Sequence, residues 1–235
     1  MDYSNIESWN VKELKEEAYQ LKLKWNGTKN DMIGSIRSER DRLYEKLEQL
    51  GDPGKDAITY AVKVHGSSKL YAMKLFKPRK SASRILREAE FQRRLASYGI
   101  CPKIIDVEVT LKNKYIVMEK LDKHLVDITG EKKISLDHQK QLVKLYKKLD
   151  DIGIFHGDAN PLNYMTKGKK LYVIDFGMSK EITPQLLKQL NTNHPNLRLM
   201  TLGMVLKLKS MDYPKESYEY LVEQLTTEQR EQFGL

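Results

Sequence analysis

The 235-residue sequence predicts an α+β chain: a small all-α module, a strand-rich middle and a mostly helical remainder. Three observations carry this. Apolar residues recur at helical spacing through residues 1–50, where there is no proline. Between 51 and 125 the pattern changes to short β-branched and aromatic runs behind a Gly51-Asp52-Pro53-Gly54 turn. From 126 to 235 helical spacing returns, with two short strand candidates.

The elements follow in order. Ser8 or Asn10 caps a first helix through Gln20, with Val11, Leu14, Ala18 and Leu21 on one face. Gly27 breaks it. Thr28 caps a second helix from Lys29, with Met32, Ile33 and Ile36 apolar, and Leu43, Leu47 and Leu50 extend it toward Gly51. Strands are expected at Ile58–His65, Lys69–Phe76, Ile104–Thr110 and Lys114–Lys120, interrupted by a basic helix at Ser81–Ser97. Two further short strands fall at Tyr164–Met165 and Leu171–Ile174. The tail holds an apolar helix, Leu197–Leu208, with Leu197, Met200, Leu202, Val205 and Leu206 as core, and one last helix near Glu216–Gln232.

Composition narrows the function. One cysteine, Cys101, excludes an intrachain disulfide. No apolar stretch approaches the ~18 residues of a membrane span, and the first ten residues lack the apolar run of a signal peptide. The expected location is intracellular: cytoplasm, nucleus, or a virion packaged from inside a cell. The net charge of +9 points first to nucleic acid. Its distribution alters that reading: residues 1–50 carry −1, 51–100 carry +7, 101–150 carry +3 and 151–235 carry zero. The surplus gathers from Lys69 to Arg94, which suits a polyphosphate site beside Lys74, or an acidic protein or tRNA partner, better than a basic N-terminal module.

The chemistry concentrates in Phe155-His156-Gly157-Asp158-Ala159-Asn160-Pro161-Leu162-Asn163-Tyr164-Met165, followed by Val173-Ile174-Asp175-Phe176-Gly177. Asp158 and Asn163 stand five apart on a turn-rich loop, and Asp175 ends a strand. A carboxylate and an amide oxygen from neighbouring loops can hold Mg²⁺, a hard ion that prefers oxygen ligands. A second carboxylate, Asp158, can orient an attacking hydroxyl for phosphoryl transfer.

This motif pair resembles the catalytic and metal loops of the protein-kinase-like superfamily, with His-Gly-Asp where His-Arg-Asp is usual. The His-Gly-Asp form is similar to atypical kinases, such as the small kinase of the threonylcarbamoyl-tRNA complex and the RIO group, and to aminoglycoside and choline phosphotransferases. The resemblance implies a two-lobed protein-kinase-like fold with a reduced helical C-lobe, and ATP and Mg²⁺ as cofactors. It implies that Lys74, in Tyr71-Ala72-Met73-Lys74, pairs the α/β-phosphates and that Glu88, fourteen residues on, holds that lysine. A helix-surface pair of Glu88 with Arg84 is the other reading. Met118 corresponds to the gatekeeper, the backbone of Glu119 and Leu121 to the adenine contacts, and Ala72 and Met165 to the residues that sandwich the base. Gly51, Gly54 and Lys55 stand where a glycine-rich phosphate loop is expected, with Ala57 in place of its last glycine and Pro53 lacking an N–H. Asn163 and Asp175 are the implied metal ligands and Asp158 the catalytic base. His156 reads as structural.

Departures shape the expectation further. Asn160 replaces the lysine usual two residues after the catalytic Asp, no Ala-Pro-Glu motif follows, and 58 residues come after Gly177. These point away from peptide recognition by a standard activation segment. The overall pattern resembles small serine/threonine kinases of large DNA viruses over about Leu50 to Leu208. The domain expectation is a helical module at 1–50, an N-lobe at 51–121 and a reduced C-lobe at 122–235. Val11-Lys12-Glu13-Leu14, Leu21-Lys22-Leu23, Gly27-Thr28-Lys29 and Met32-Ile33 resemble a SAP-type module. That family often binds DNA, and Lys22, Lys24, Lys29 and Arg37 are basic residues that could gather on one face; a protein-docking or dimerisation element is the alternative. A protein substrate is expected, membranes are not, and the sequence leaves the oligomeric state open.

Overall fold

The computed structural model describes residues 3–110, 113–128 and 131–235. They form two compact units, residues 1–89 with 104–120, and residues 90–103 with 121–235.

The first unit begins with α1 (Val11–Gln20) and α2 (Lys29–Leu43). Of the two candidate caps, Asn10 is used. Its side chain accepts the N–H groups of Lys12 and Glu13, while the Glu13 carboxylate accepts the N–H of Asn10. Thr28 and Asp31 make the same reciprocal box for α2. These boxes satisfy amide donors that a helix start otherwise leaves unpaired. Leu14, Ala18, Met32, Ile33 and Ile36 pack with Ile6 into a small core; Val11, expected on that face, is 46% exposed.

The second helix does not run on to Gly51. It ends at Leu43, and β1 (Tyr44–Gln49) follows directly. This overturns the helical reading of Leu47 and Leu50. Tyr44-Glu-Lys-Leu-Glu-Gln has ordinary helix formers, but pairing with β2 decides its conformation. The sheet is antiparallel, in the order β1-β2-β3-β5-β4, with β2 (Ala57–Val64), β3 (Leu70–Phe76), β4 (Ile104–Val109) and β5 (Lys114–Glu119). Strand alternation sorts its side chains. Ile116 and Met118 face the core that α3 (Ala82–Ala96) covers with Ile85 and Ala89. Tyr115 and Val117 face the other side with Val62 and Met73.

An ion cluster joins the helical module to this sheet. Arg40, 7% exposed, reaches Asp106 at 2.5 Å, Glu17 at 3.3 Å and Glu108 at 3.4 Å. Tyr44 donates its hydroxyl to Asp106 at 3.1 Å, and Tyr115 to Glu108 at 2.7 Å. Burial first, then the carboxylates beside them, push both phenols well above their ordinary range. The module is therefore packed on β4 and β5.

The second unit holds the last half of α3, then β6 (Lys123–His124), α4 (Leu136–Ile152), β7 (Ile154–Phe155), β8 (Tyr164–Lys167), β9 (Lys170–Val173) and β10 (Lys180–Glu181). After them come α5 (Pro184–Leu190), α6 (Thr201–Ser210), α7 (Glu219–Glu223) and α8 (Thr227–Phe233). Its core runs from Leu95 through Tyr146 and Tyr164 to Val205 and Leu221. Two expectations shift here. A π-helical turn at Asn196–Met200 precedes α6, and Met204 and Leu208 fill the core where Leu202 and Leu206 were expected. The single last helix is two, because Thr226 caps α8 afresh with Gln229. No helix among the described residues is long and apolar enough to cross a membrane.

Candidate active site

In the first unit, Lys74 on β3 places its Nζ 2.6 Å from Oε1 of Glu88 on α3. Glu88 is 2% exposed, so the alternative of a surface pair with Arg84 does not hold. An ammonium on a flexible stem gains a fixed position from such a partner. Lys80 lies 3.9 Å from the other oxygen of Glu88 and 3.4 Å from Asp56. Ala72 stands directly across from Met118 in the β3–β5 ladder, and Glu119 ends β5.

The β1–β2 connection carries Gly51, Gly54 and Lys55, all exposed. Gly51 has φ +69°, open to glycine at no steric penalty. Lys77 donates to the carbonyl of Gly54 at 2.9 Å, and Arg79 to that of Lys55. Basic side chains thus tie down the loop's carbonyls. The loop was expected from its glycines; the strand entering it was not.

In the second unit the catalytic-loop motif forms one hydrogen-bonded knot. His156, fully buried, has Nε2 at 3.0 Å from the Ile174 carbonyl and Nδ1 at 3.1 Å from the Asp158 carbonyl and 3.4 Å from the Asp158 N–H, and its ring packs edge-on against Phe176 at 5.3 Å. Burial, acting against the Ile174 hydrogen bond and the Asp175 and Asp158 charges, lowers its pKa below the ordinary imidazole value. Both ring nitrogens face backbone carbonyls, and a neutral ring donates to one of them at a time; buried on these backbone groups, His156 is a positioning residue. Asp158 Oδ1 accepts the N–H of Asn160 at 3.2 Å. Asn163 donates Nδ2 to the Asp158 carbonyl at 3.4 Å, and its own carbonyl accepts the N–H of Ile174 at 2.9 Å. The knot brings Asp158, Asn163 and the Asp175 segment together. Asp175 has φ +64°, and its Oδ1 accepts the N–H of Gly177 at 3.2 Å. Leu121 and Met165 also lie in this unit, one rung from the Asp122 N–H to Thr166 carbonyl bond.

The donor set fits a divalent cation of the Mg²⁺ type. Nδ2 of Asn163 is turned to a carbonyl, which leaves Oδ1 as the ligand atom, and Asp175 adds a carboxylate at an exposed position. Among the described residues there is no cluster of three or more His, Cys, Asp or Glu side chains that would form a protein-only cage. A few protein oxygens plus water and phosphate is the usual Mg²⁺ arrangement.

Glycine at 157 has a physical reason. Its φ is +81°, and a β-carbon there would stand 2.9 Å from the Met178 carbonyl oxygen.

Sequence reading missed three supports. Asn196, fully buried, accepts the His156 N–H at 3.0 Å and donates to Asp150 and to the Ile154 carbonyl, both at 2.8 Å. Asp150 also accepts the N–H groups of Asn196 and Leu197 at 2.9 Å. Burial pushes its carboxyl up, opposed by those donors. Gly203 on α6 abuts the loop: a β-carbon there would meet that of Ala159 at 2.6 Å. A Pro-Asn pair in a polar stretch and a glycine inside a helix were the only signals.

The chain is 27% identical over 176 residues to the serine/threonine-protein kinase MPS1 of Saccharomyces cerevisiae, covering 69% of the chain and 23% of that protein. It is 31% identical over 103 residues to the KEOPS complex subunit Bud32 of Pyrococcus abyssi, covering 41% and 45%. These matches span less than half the length of either relative. The fold is similar to the structure of the Cydia pomonella granulovirus kinase PK-1, with a TM-score of 0.53, 21% identity, and coverage of 65% of this chain and 60% of that one. The protein kinase domain family matches residues 44–196, from the first residue of β1 to the asparagine that anchors the catalytic loop, and the chain belongs to that family.

Proposed function

We propose that this chain transfers the γ-phosphoryl group of ATP to a protein hydroxyl, as an atypical serine/threonine kinase. The observation that carries this is the buried Lys74–Glu88 pair at 2.6 Å, a fixed cation of the kind that family chemistry uses on the α/β-phosphates. Asp158 is the base. The N–H of Asn160 holds one of its oxygens, and the other accepts the proton of the attacking hydroxyl as the new P–O bond forms and the bond to ADP breaks. Asn163 and Asp175 would hold Mg²⁺, which neutralises charge on the phosphates. By the family resemblance, Gly51, Gly54 and Lys55 would cover the phosphates, and adenine contacts would fall to Ala72, Met118 and Glu119 of the first unit and to Leu121 and Met165 of the second. The acceptor is taken to be an intracellular protein.

The test is transfer of label from γ-labelled ATP to the chain itself, to a generic basic protein and to an aminoglycoside. Label on protein, lost by at least ~10²-fold in Asp158→Asn while nucleotide binding persists, supports the reading. Label on the sugar alone indicates a small-molecule kinase. Nucleotide binding without any transfer indicates a scaffold.

A further inference from the structure

One face of the second unit has no part in that chemistry. Helix α4 buries Leu142, Val143, Leu145, Tyr146 and Leu149, and turns Lys140, Lys144, Lys147 and Lys148 to solvent. Gln141 ties the β8–β9 turn to this helix. Its Nε2 donates to the Lys169 carbonyl at 3.0 Å, and its Oε1 accepts the Leu171 N–H at 2.8 Å. The exposed Lys169 and Lys170 are thereby fixed beside α4. The Tyr98–Gly99 turn links the two sets. Lys148 sits 5.1 Å above the ring of Tyr98, which is 50% exposed, and Lys170 Nζ is 3.3 Å from where a Gly99 β-carbon would stand. Lys170 also lies 5.1 Å over the Tyr172 ring.

We propose that this face binds single-stranded nucleic acid through its phosphate backbone. Among the described residues, none of the six lysines has a carboxylate within 4.0 Å. Asp137 and Asp151 bracket the helical row, and Asp137 is engaged by Gln141. Six like charges held together by a structured turn repel one another, and a polyanion relieves that repulsion. Lys140, Lys144 and Lys148 repeat every four residues, a pitch of about 6 Å along a helix, which suits a regularly repeating anion. The cations are all lysines, which act as hydrated point charges rather than bidentate forks. That favours phosphates read without sequence over carboxylates of an acidic peptide. Tyrosines interleaved with the lysines favour a single strand, whose bases are free to stack, over a duplex.

The N-terminal module is the weaker candidate. Of the cations Lys22, Lys24, Lys29 and Arg37, Arg37 pairs with Glu7 and Lys29 donates to the Glu7 carbonyl at 3.0 Å.

The experiment is fluorescence anisotropy of the full chain with an oligothymidylate of about 20 nucleotides, longer than the ~4–16-nucleotide sites of such proteins. Six phosphate contacts give a slope of log K against log salt of about −4, from ~0.7 per contact. The variant Lys144→Gln/Lys148→Gln/Lys169→Gln should bind at least tenfold more weakly, with a slope near −2 and an unchanged melting curve. Lys22→Gln/Lys24→Gln should bind like wild type. Four results would overturn the proposal: no binding in low salt, unchanged affinity in the triple variant, equal competition by polyglutamate, or a same-length duplex binding tighter than the single strand. None of these lysines belongs to the proposed phosphotransfer site, so the outcome is independent of that reading.

Discussion

Replacing Arg40 with leucine removes a cation that faces Glu17, Asp106 and Glu108. All four side chains are buried, with side-chain exposures between 6% and 11%. Truncating one partner of a buried ionic group leaves uncompensated charge and destabilises by about 3–5 kcal/mol. Against a typical stability of about 5–15 kcal/mol, that is a large fraction. With a urea slope of about 2 kcal/mol/M, the midpoint should fall by roughly 1.5–2.5 M. The chain supplies its own probe, because both tryptophans, Trp9 and Trp25, pack against the core of the N-terminal module. Urea unfolding followed by tryptophan fluorescence therefore reports on the helices that Arg40 joins to the sheet. A compensated variant, Arg40→Met with Glu17→Met, Asp106→Leu and Glu108→Met, should regain much of the loss, since apolar replacement of a whole ionic cluster is often neutral. A midpoint shift in Arg40→Leu corresponding to less than about 1 kcal/mol would refute the reasoning. The module would then be tethered by something other than this cluster.

Three further outcomes follow from the second unit. Gly203→Ala places a β-carbon 2.6 Å from that of Ala159, so α6 or the catalytic loop must shift. Labelled-phosphate transfer should fall by about 10²-fold for a displacement near 1 Å, and Ala159→Gly in the same chain should restore it. Asn196→Ala strips partners from the His156 N–H, the Ile154 carbonyl and Asp150, and should lower the melting stability by about 1–3 kcal/mol. Asn196→Asp should be worse at neutral pH, because it sets a second carboxylate against Asp150. His156 gives a pH dependence. It is held neutral in the fold by burial, whereas the unfolded chain takes up a proton below its ordinary value of about 6.5. Acid therefore favours unfolding, and stability present above pH ~6.5 should be lost on acidification by up to about 1.4 kcal/mol per unit until the folded form also titrates. Chemical unfolding of wild type and His156→Gln between pH 7.5 and pH 5 measures this; the slope should be smaller in the variant.

How much was legible in the sequence differs between chemistry and support. Lys74, Glu88, Asp158, Asn163 and Asp175 stood out through motif spacing and the family resemblance, and the structure pairs Lys74 with Glu88 and links Asp158, Asn163 and the Ile174 N–H, each within its own unit. Strands β2 to β5 were readable from their β-branched and aromatic runs. Strand β1 was not: its leucine spacing and charged residues suit a helix, and only its partner β2 makes it extended. Arg40, Asn196 and Gly203 were illegible for a related reason. Each acts on a residue distant in sequence, Arg40 on Asp106 and Glu108, Asn196 on Asp150 and His156, and Gly203 on Ala159. Local pattern carries no trace of such pairs.

Gly157 sets a limit on how this catalytic loop can change. Regulation of kinases by phosphorylation commonly relies on an arginine that captures the new phosphate. An arginine at 157 would need a β-carbon at φ +81°, 2.9 Å from the Met178 carbonyl oxygen. Installing that guanidinium strains the backbone at 157 and forces a shift around Met178. The loop beside Asp158 is thus built on a backbone turn that only the missing β-carbon at 157 leaves unstrained.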